Sequence, residues 1–308
     1  MSAMQRYILR RLLQGAILLF VLALVVFALA RVTGNPADLL LPEDATREDR
    51  ADLLRTLGLD RPVHEQLVVF LSGAVRGDLG QSIRYRKPAA EVFFERLPNT
   101  LTLVPLALAV AVLISIPLGV LAAVHRGTLI DRCCSAGAVL GIATPSFWLG
   151  IVLIYVFSIQ LGWLPSARMG GPSHYVLPVV TLAAFLVAGM MRLVRSSMLE
   201  VLDSEFVKLA RIKGLSQTVV IWKHCLSNAL IPVVTLFGVF FALLVTGAIV
   251  TETVFAWPGV GRLTYEAVIF RDYPLLQAVI LLKGVIVLGV NLVVDVLYAY
   301  LDPRVRYA

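Results

Sequence analysis

An all-helical chain embedded in a membrane, crossing it six times, is the fold class that three observations predict. The first is composition: 59% of the 308 residues are hydrophobic and 15% are charged, against about 25% charged in a soluble domain. One globular core cannot cover that much apolar surface, so a bilayer has to solvate much of it. The second is six apolar runs, at 12–30, 101–124, 137–161, 175–191, 229–251 and 275–300. Each is long enough to address roughly 30 Å of hydrocarbon. The third is an uneven distribution of basic residues between the short connecting loops, which orients such a chain.

The first run follows Arg6, Arg10 and Arg11, and Ala28-Leu29-Ala30 imitates a signal-peptide cleavage site. With Leu12 and Leu13 it is longer than a signal core, and five more runs follow, so it reads as a retained helix. The segment 31–100 is too long for a structureless loop. Thr46-Arg47-Glu48-Asp49 has the pattern of a capping box and Gly58 can end the helix it starts. Val63, Leu67, Phe70 and Leu71 recur at helical spacing, and Gly77-Asp78-Leu79-Gly80 is a turn. A small, mostly helical extracytoplasmic lobe between the first two membrane helices is expected. Pro105, Pro117, Pro145 and Pro178 lie in or beside the later runs, where neighbouring helices can satisfy the freed carbonyls.

With the N-terminus inside, the cytoplasmic side collects Arg6, Arg10, Arg11, Arg126, Arg132, Arg192, Arg195, Lys208, Arg211, Lys213, Lys223, Arg304 and Arg306. The short outer loops hold only Arg168, Arg262 and Arg271. Both termini are therefore expected in the cytoplasm. Cys133, Cys134 and Cys225 then lie on the reducing side and read as thiols. The formal charge of +7 is scattered between apolar runs, unlike the clustered footprint of a nucleic-acid binder.

Between the fourth and fifth runs, in the loop 192–228, residues 204–216 read as a short helix begun by Asp203 or Ser204 and stopped by Gly214. A second short helix follows from Ser216 toward Asn228. Such a helix–glycine–helix element is a rigid knob suited to passing motion from a partner into membrane helices. Lys208, Arg211, Lys213 and Lys223 have two readings of equal weight, a grip on that partner or simple positive-inside placement beside anionic headgroups. No Walker loop occurs, so the chain is not expected to bind ATP phosphates itself. His64-Glu65-Gln66-Leu67-Val68 lacks the second histidine of a zinc-protease helix, and His125, His174 and His224 are isolated. No catalytic or metal site is expected. Lys283 and Asp295 fall inside the last run, where a charge is a functional hypothesis by default. Twelve residues apart, about 18 Å of helix, they cannot pair. Lys283 is a candidate for the translocation path or a snorkelling side chain, and Asp295 is read as structural.

The chain resembles the inner-membrane permeases of ABC importers, and within them the dipeptide/oligopeptide class. Glu205 through Gly214, then His224 and Asn228-Ala229-Leu230-Ile231-Pro232, are similar to that class's ATPase-coupling motif. So, in order along the chain, are Arg10-Arg11-Leu12-Leu13, Gly77-Asp78-Leu79-Gly80, Arg96-Leu97-Pro98, Pro145-Ser146-Phe147-Trp148-Leu149-Gly150 and Gly162-Trp163-Leu164-Pro165. Glu252-Thr253-Val254-Phe255-Ala256-Trp257-Pro258-Gly259, Arg271-Asp272-Tyr273-Pro274 and Leu301-Asp302-Pro303-Arg304 continue it. Lys208 and Leu209 depart from the acid and the first alanine of the wider family's motif; of those positions only Ala210 matches. Lys283 is a further departure.

The resemblance implies a non-enzymatic permease subunit in a bacterial cytoplasmic membrane. Its partners are a second homologous permease, ABC ATPase subunits that bind ATP and magnesium, and an extracytoplasmic solute-binding protein. Glu205, Ala210, Lys213, Gly214, Leu215 and Ser216 are expected at the ATPase contact. Trp257, Pro258 and Gly259, a stiff aromatic-bearing turn, are expected to dock the binding protein together with the outer lobe. Peptides are the expected cargo; nickel chelates, glutathione or another small solute are the alternatives within the class. A proton-coupled secondary transporter is the rival from another class, and it calls for internal repeats and several deep acids. Neither is visible in the sequence.

Overall fold

The structure, a computed structural model, describes residues 3–32, 46–56 and 58–301. Its helices are α1 Ala3–Val32, α2 Arg47–Thr56, α3 Val63–Arg76, α4 Ala89–Val124, α5 Leu129–Ala143 and α6 Ser146–Leu153. They continue with α7 Ser173–Leu202, α8 Glu205–Ile212, α9 Gln217–Val219, α10 Leu226–Ala229 and α11 Ile231–Gly247. The last are α12 Ile249–Val254, α13 Val260–Ile269 and α14 Tyr273–Leu301. Two wide π-helical stretches interrupt the series, Ile154–Gln160 after α6 and Val220–Cys225 between α9 and α10. Among the described residues there is no strand; one isolated bridge pairs Gln81 with Pro88.

Among the described residues, four helices are long and apolar enough to cross a bilayer, over Ile8–Arg31, Ala89–Val124, Ser173–Leu202 and Tyr273–Val294. Two bent pairs bring the number to six if each is one span: Leu129–Ala143 with Ser146–Gln160, at 100°, and Gln217–Ala229 with Ile231–Gly247, at 52°. The expected straight run 137–161 is thus two helices. Pro145 forces the break, because its ring drives the preceding Thr144 out of the helical region, to φ −81°, ψ 118°. A 15-residue leg spans only about 22 Å, short of the hydrocarbon. Pro232, in the first turn of α11, sits beside the second bend. The second expected run also changes: α4 starts at Ala89, twelve residues before 101, so the end of the expected lobe 31–100 is the start of a membrane helix.

The chain divides into two compact units, 1–99 with 258–308 and 100–257. In the first, α1 lies against α14 so closely that a β-carbon on Gly284 would come within 2.8 Å of Leu22. Val92 and Phe93 at the start of α4 share a core with Val260, Leu263 and Ala267 of α13 and with Leu275, Ala278 and Val279 of α14. The described part of the expected lobe stands on this frame. Asp49 and Thr46 bond reciprocally, Asp49 N–H to Thr46 Oγ1 at 3.2 Å and Thr46 N–H to Asp49 Oδ2 at 3.0 Å, which is the expected capping box. Gly58 follows at φ +65°. Phe70 of α3 meets Phe27 of α1 at 5.7 Å between centroids. Asp272 holds the 81–88 loop by accepting from Ser82 Oγ and Arg84 N–H, and caps α14 by accepting from Leu275 N–H.

In the second unit α7 is the centre: Leu186, Met190, Val194 and Met198 are fully buried. Its neighbours approach through small residues. A β-carbon on Gly119 of α4 would lie 2.7 Å from Val194, and one on Gly141 of α5 3.0 Å from Ala188. In lipid such contacts carry helix association, since there is no hydrophobic drive between helices there.

Candidate functional site

The loop between α7 and α11 folds as a helix–turn–helix knob. Ser204, not Asp203, is the cap residue of α8, with extended backbone at φ −72°, ψ 153°. Glu205 in the first turn suits the positive end of the helix dipole. The helix ends in a Schellman motif: Leu215 N–H donates to Ala210 C=O at 3.3 Å and Gly214 N–H to Arg211 C=O at 3.0 Å, with Gly214 left-handed at φ +77°. Lys213 is the capping residue, and Ser216 begins the next helix. The sequence-expected set Glu205, Ala210, Lys213, Gly214, Leu215 and Ser216 is therefore one local structure, half-buried at Ala210 and exposed at the other five. Lys208, where the motif departs from the family, donates to Glu205 Oε1 at 2.7 Å.

What holds the knob and what it shows are different residues. Val207, Val220 and Cys225 are fully buried and Ala229 nearly so, anchoring it from one side. Facing away are Phe206, Leu209 and Ile212, the last 80% exposed, with Leu215, Val219 and Trp222 also exposed. An apolar patch of this kind on a polar connector marks an interaction surface. Attention to the basic residues hid it in the sequence. Its signal was the spacing 206, 209, 212 on a helix only eight residues long.

A second feature escaped the sequence reading. Arg195 near the end of α7 grips Asp131 in the first turn of α5 with two parallel bonds, Nε to Oδ1 at 2.6 Å and Nη2 to Oδ2 at 2.9 Å. Gly127 N–H adds a third bond at 2.9 Å and Ser135 Oγ a weaker one. Arg195 is thus a specific clamp between α7 and α5.

Two expectations need correction. Trp257 does not reach outward. Its ring is fully buried and meets Tyr175 edge-on at 4.7 Å, because Ala256 turns left-handed, at φ +48°, and Trp257 N–H bonds Glu252 C=O at 2.7 Å. Gly259 is also buried and Pro258 half-buried, its carbonyl accepting from Asn99 Nδ2. The exposed groups nearby are Tyr265, Val268, Ile269 and Phe270 on and after α13. Lys283 neither snorkels nor lines an open path within this chain: it is 5% exposed, and its Nζ donates to Thr264 Oγ1 of α13 at 2.7 Å. The side chain of Asp295, and all of Arg304 and Arg306, lie outside the described residues.

Tyr85 donates to Glu266 Oε2 at 2.6 Å, and Arg262 bonds the other oxygen at 2.9 Å. Burial, then the neighbouring carboxylate, push the Tyr85 hydroxyl above its ordinary pKa, so it remains a donor at every physiological pH.

Residues 115–307 match the family model described as "Binding-protein-dependent transport system inner membrane component". Residues 4–104 match that described as "Binding-prot-dependent transport system membrane comp, N-term". Among curated relatives, the glutathione transport system permease protein GsiC of Escherichia coli strain CFT073 is 43% identical over 305 residues, covering 99% of this chain and 100% of the relative. GsiC of strain K12 is 42% identical over the same length and coverage. Among solved structures, an inward-facing form of the MetNI methionine ABC transporter aligns with a TM-score of 0.59 at 20% identity, covering 68% of this chain and 96% of that one. An amino acid ABC transporter crystallised with histidines aligns at 0.55 and 17%, covering 68% and 94%. These last two share the fold. The ATP-driven class stands and the secondary-transporter rival falls: the chain belongs to the binding-protein-dependent ABC importer permeases, as a multi-pass inner-membrane transport subunit of the peptide class.

Proposed function

We propose that this chain forms one side of a path for small peptides, glutathione foremost among those to test, and that its knob 203–229 takes the stroke of a separate ATPase subunit. The observation that carries the coupling reading is the exposed apolar face of Phe206, Leu209 and Ile212 on a helix whose opposite side is anchored by Val207. Burying such a face in a partner's cleft gives contact, and the short rigid helix gives transmission. ATP and magnesium belong to that partner, and a second homologous permease completes the path. The knob faces the cytoplasm, as the basic residues of the short loops require. On the opposite side the binding protein docks on the outer lobe and on the exposed Tyr265, Val268, Ile269 and Phe270. The cargo assignment is supported by relatives 42–43% identical over their whole length that are named as glutathione permeases.

The test is uptake by the reconstituted complex of labelled glutathione, a dipeptide and a pentapeptide, with ATPase activity followed in parallel. Leu209→Asp with Ile212→Asp places two charges on the exposed face while leaving the anchor intact. Assembly with the ATPase and uptake should both fall at least tenfold. Full uptake by that variant removes the coupling role, and uptake of none of the three solutes by the wild type removes the cargo reading.

A further inference from the structure

A cavity of about 730 Å³ opens in the first unit where α1, α3 and the start of α14 meet, within the size range of ligand sites. Arg31, Arg55 and Arg61 line it; Arg55 is paired with Asp52 at 3.3 Å, and the lining carboxylate Asp78 is engaged by Gly80 N–H at 3.0 Å. Arg31 is built in. Its Nε and Nη2 both donate to Gln66 Oε1, at 3.2 and 2.7 Å, its Nη1 to the Phe27 carbonyl at 3.1 Å, and its guanidinium lies 3.3 Å over the Phe27 ring. All of these partners are neutral, so among the described residues the half-buried charge is oriented but not neutralised. Gln66 spends its own amide N–H groups on the Leu59 and Arg61 carbonyls, which fixes the turn carrying Arg61 to the same wall. Depth is set by the spans. Arg31 closes the apolar run Ile8–Arg31 and Tyr273 opens the run Tyr273–Val294, and both line the cavity. It therefore lies where hydrocarbon gives way to headgroups, and Leu59 and Phe70 supply an apolar part of its wall.

We propose that this cavity holds the phosphodiester headgroup of an anionic phospholipid, bound by Arg31 and Arg61. A planar guanidinium fork matches phosphate oxygens, and a preoriented one loses less freedom per bond formed. The proposal rests on the membrane placement of the chain; only the leaflet, the outer one, depends on the orientation proposed above. It does not rest on the cargo or coupling reading, and its readout is lipid retention, so the two fail separately.

The complex, extracted and exchanged into phosphatidylglycerol or phosphatidylcholine of matched chains, is weighed by native mass spectrometry. Phosphatidylglycerol should be retained preferentially, by about fivefold for each arginine that engages it. Arg31→Gln with Arg61→Gln should abolish the preference at unchanged assembly. If that pair fails to assemble, Arg61→Gln alone decides, because Arg61 is exposed and only its backbone is held by Gln66. Equal retention of the two lipids, or an undiminished preference in the variants, overturns the proposal. So does complete displacement of the lipid by millimolar inorganic phosphate or glutathione, which makes this a site for free anions or for cargo.

Discussion

At Gly214 a β-carbon would meet no neighbouring atom, so a substitution there is felt through the backbone alone. Left-handed φ costs an ordinary residue roughly 1–2 kcal/mol, and asparagine less. That makes a graded test. Gly214→Asn should keep most of the uptake, Gly214→Ala should lose part of it, and Gly214→Val should lose most, because β-branching adds crowding to the strained turn. Loaded binding protein should stimulate ATP hydrolysis in the same rank order at equal assembly. A valine variant that transports like the wild type would make Gly214 an ordinary loop residue. Gly214 was readable in the sequence because a glycine after a short amphipathic run has few other uses. Trp257 misled because a Trp-Pro-Gly string says turn but not which way the ring points; the left-handed Ala256 decides that, and alanine gives no hint of it.

At the scale of elements, packing in the second unit depends on which glycines face a neighbour. Gly119→Leu would drive a side chain into Val194, where even a β-carbon is 2.7 Å away, whereas Gly137 of α5 has nothing within 4 Å. Overpacking at a tight crossing costs typically about 1–3 kcal/mol. Gly119→Leu should therefore lower the melting temperature of the purified subunit by several degrees, and Gly137→Leu should leave it nearly unchanged. Equal melting of the two variants would remove the close α4–α7 crossing from the account. The helices themselves were largely legible, since length and apolarity are properties of the string. The capping box at Thr46 and the stop at Gly58 were legible too, being local chemistry. The 100° break at Thr144–Pro145 was not, because apolar residues continue on both sides and a hydropathy run registers solvent, not direction. The Asp131–Arg195 clamp, 64 residues apart in sequence, needed the fold to bring it together.

At the scale of the whole molecule, the surface left bare by one chain states what the chain is missing. Phe206, Leu209, Ile212 and Trp222 form the barest apolar part of the knob. A subunit inserted before its ATPase partner arrives would show that patch to the cytosol, where chaperones and proteases survey exposed hydrophobic segments. The face proposed for coupling would then double as a degradation signal, masked only on assembly, so that the cell holds permease in proportion to ATPase without a separate sensor. In a pulse-chase experiment the orphan chain should decay several-fold faster than the assembled one, and Leu209→Asp with Ile212→Asp should lengthen the orphan's half-life although it blocks assembly. Equal decay of orphan and assembled chains would leave the patch with the proposed coupling role alone.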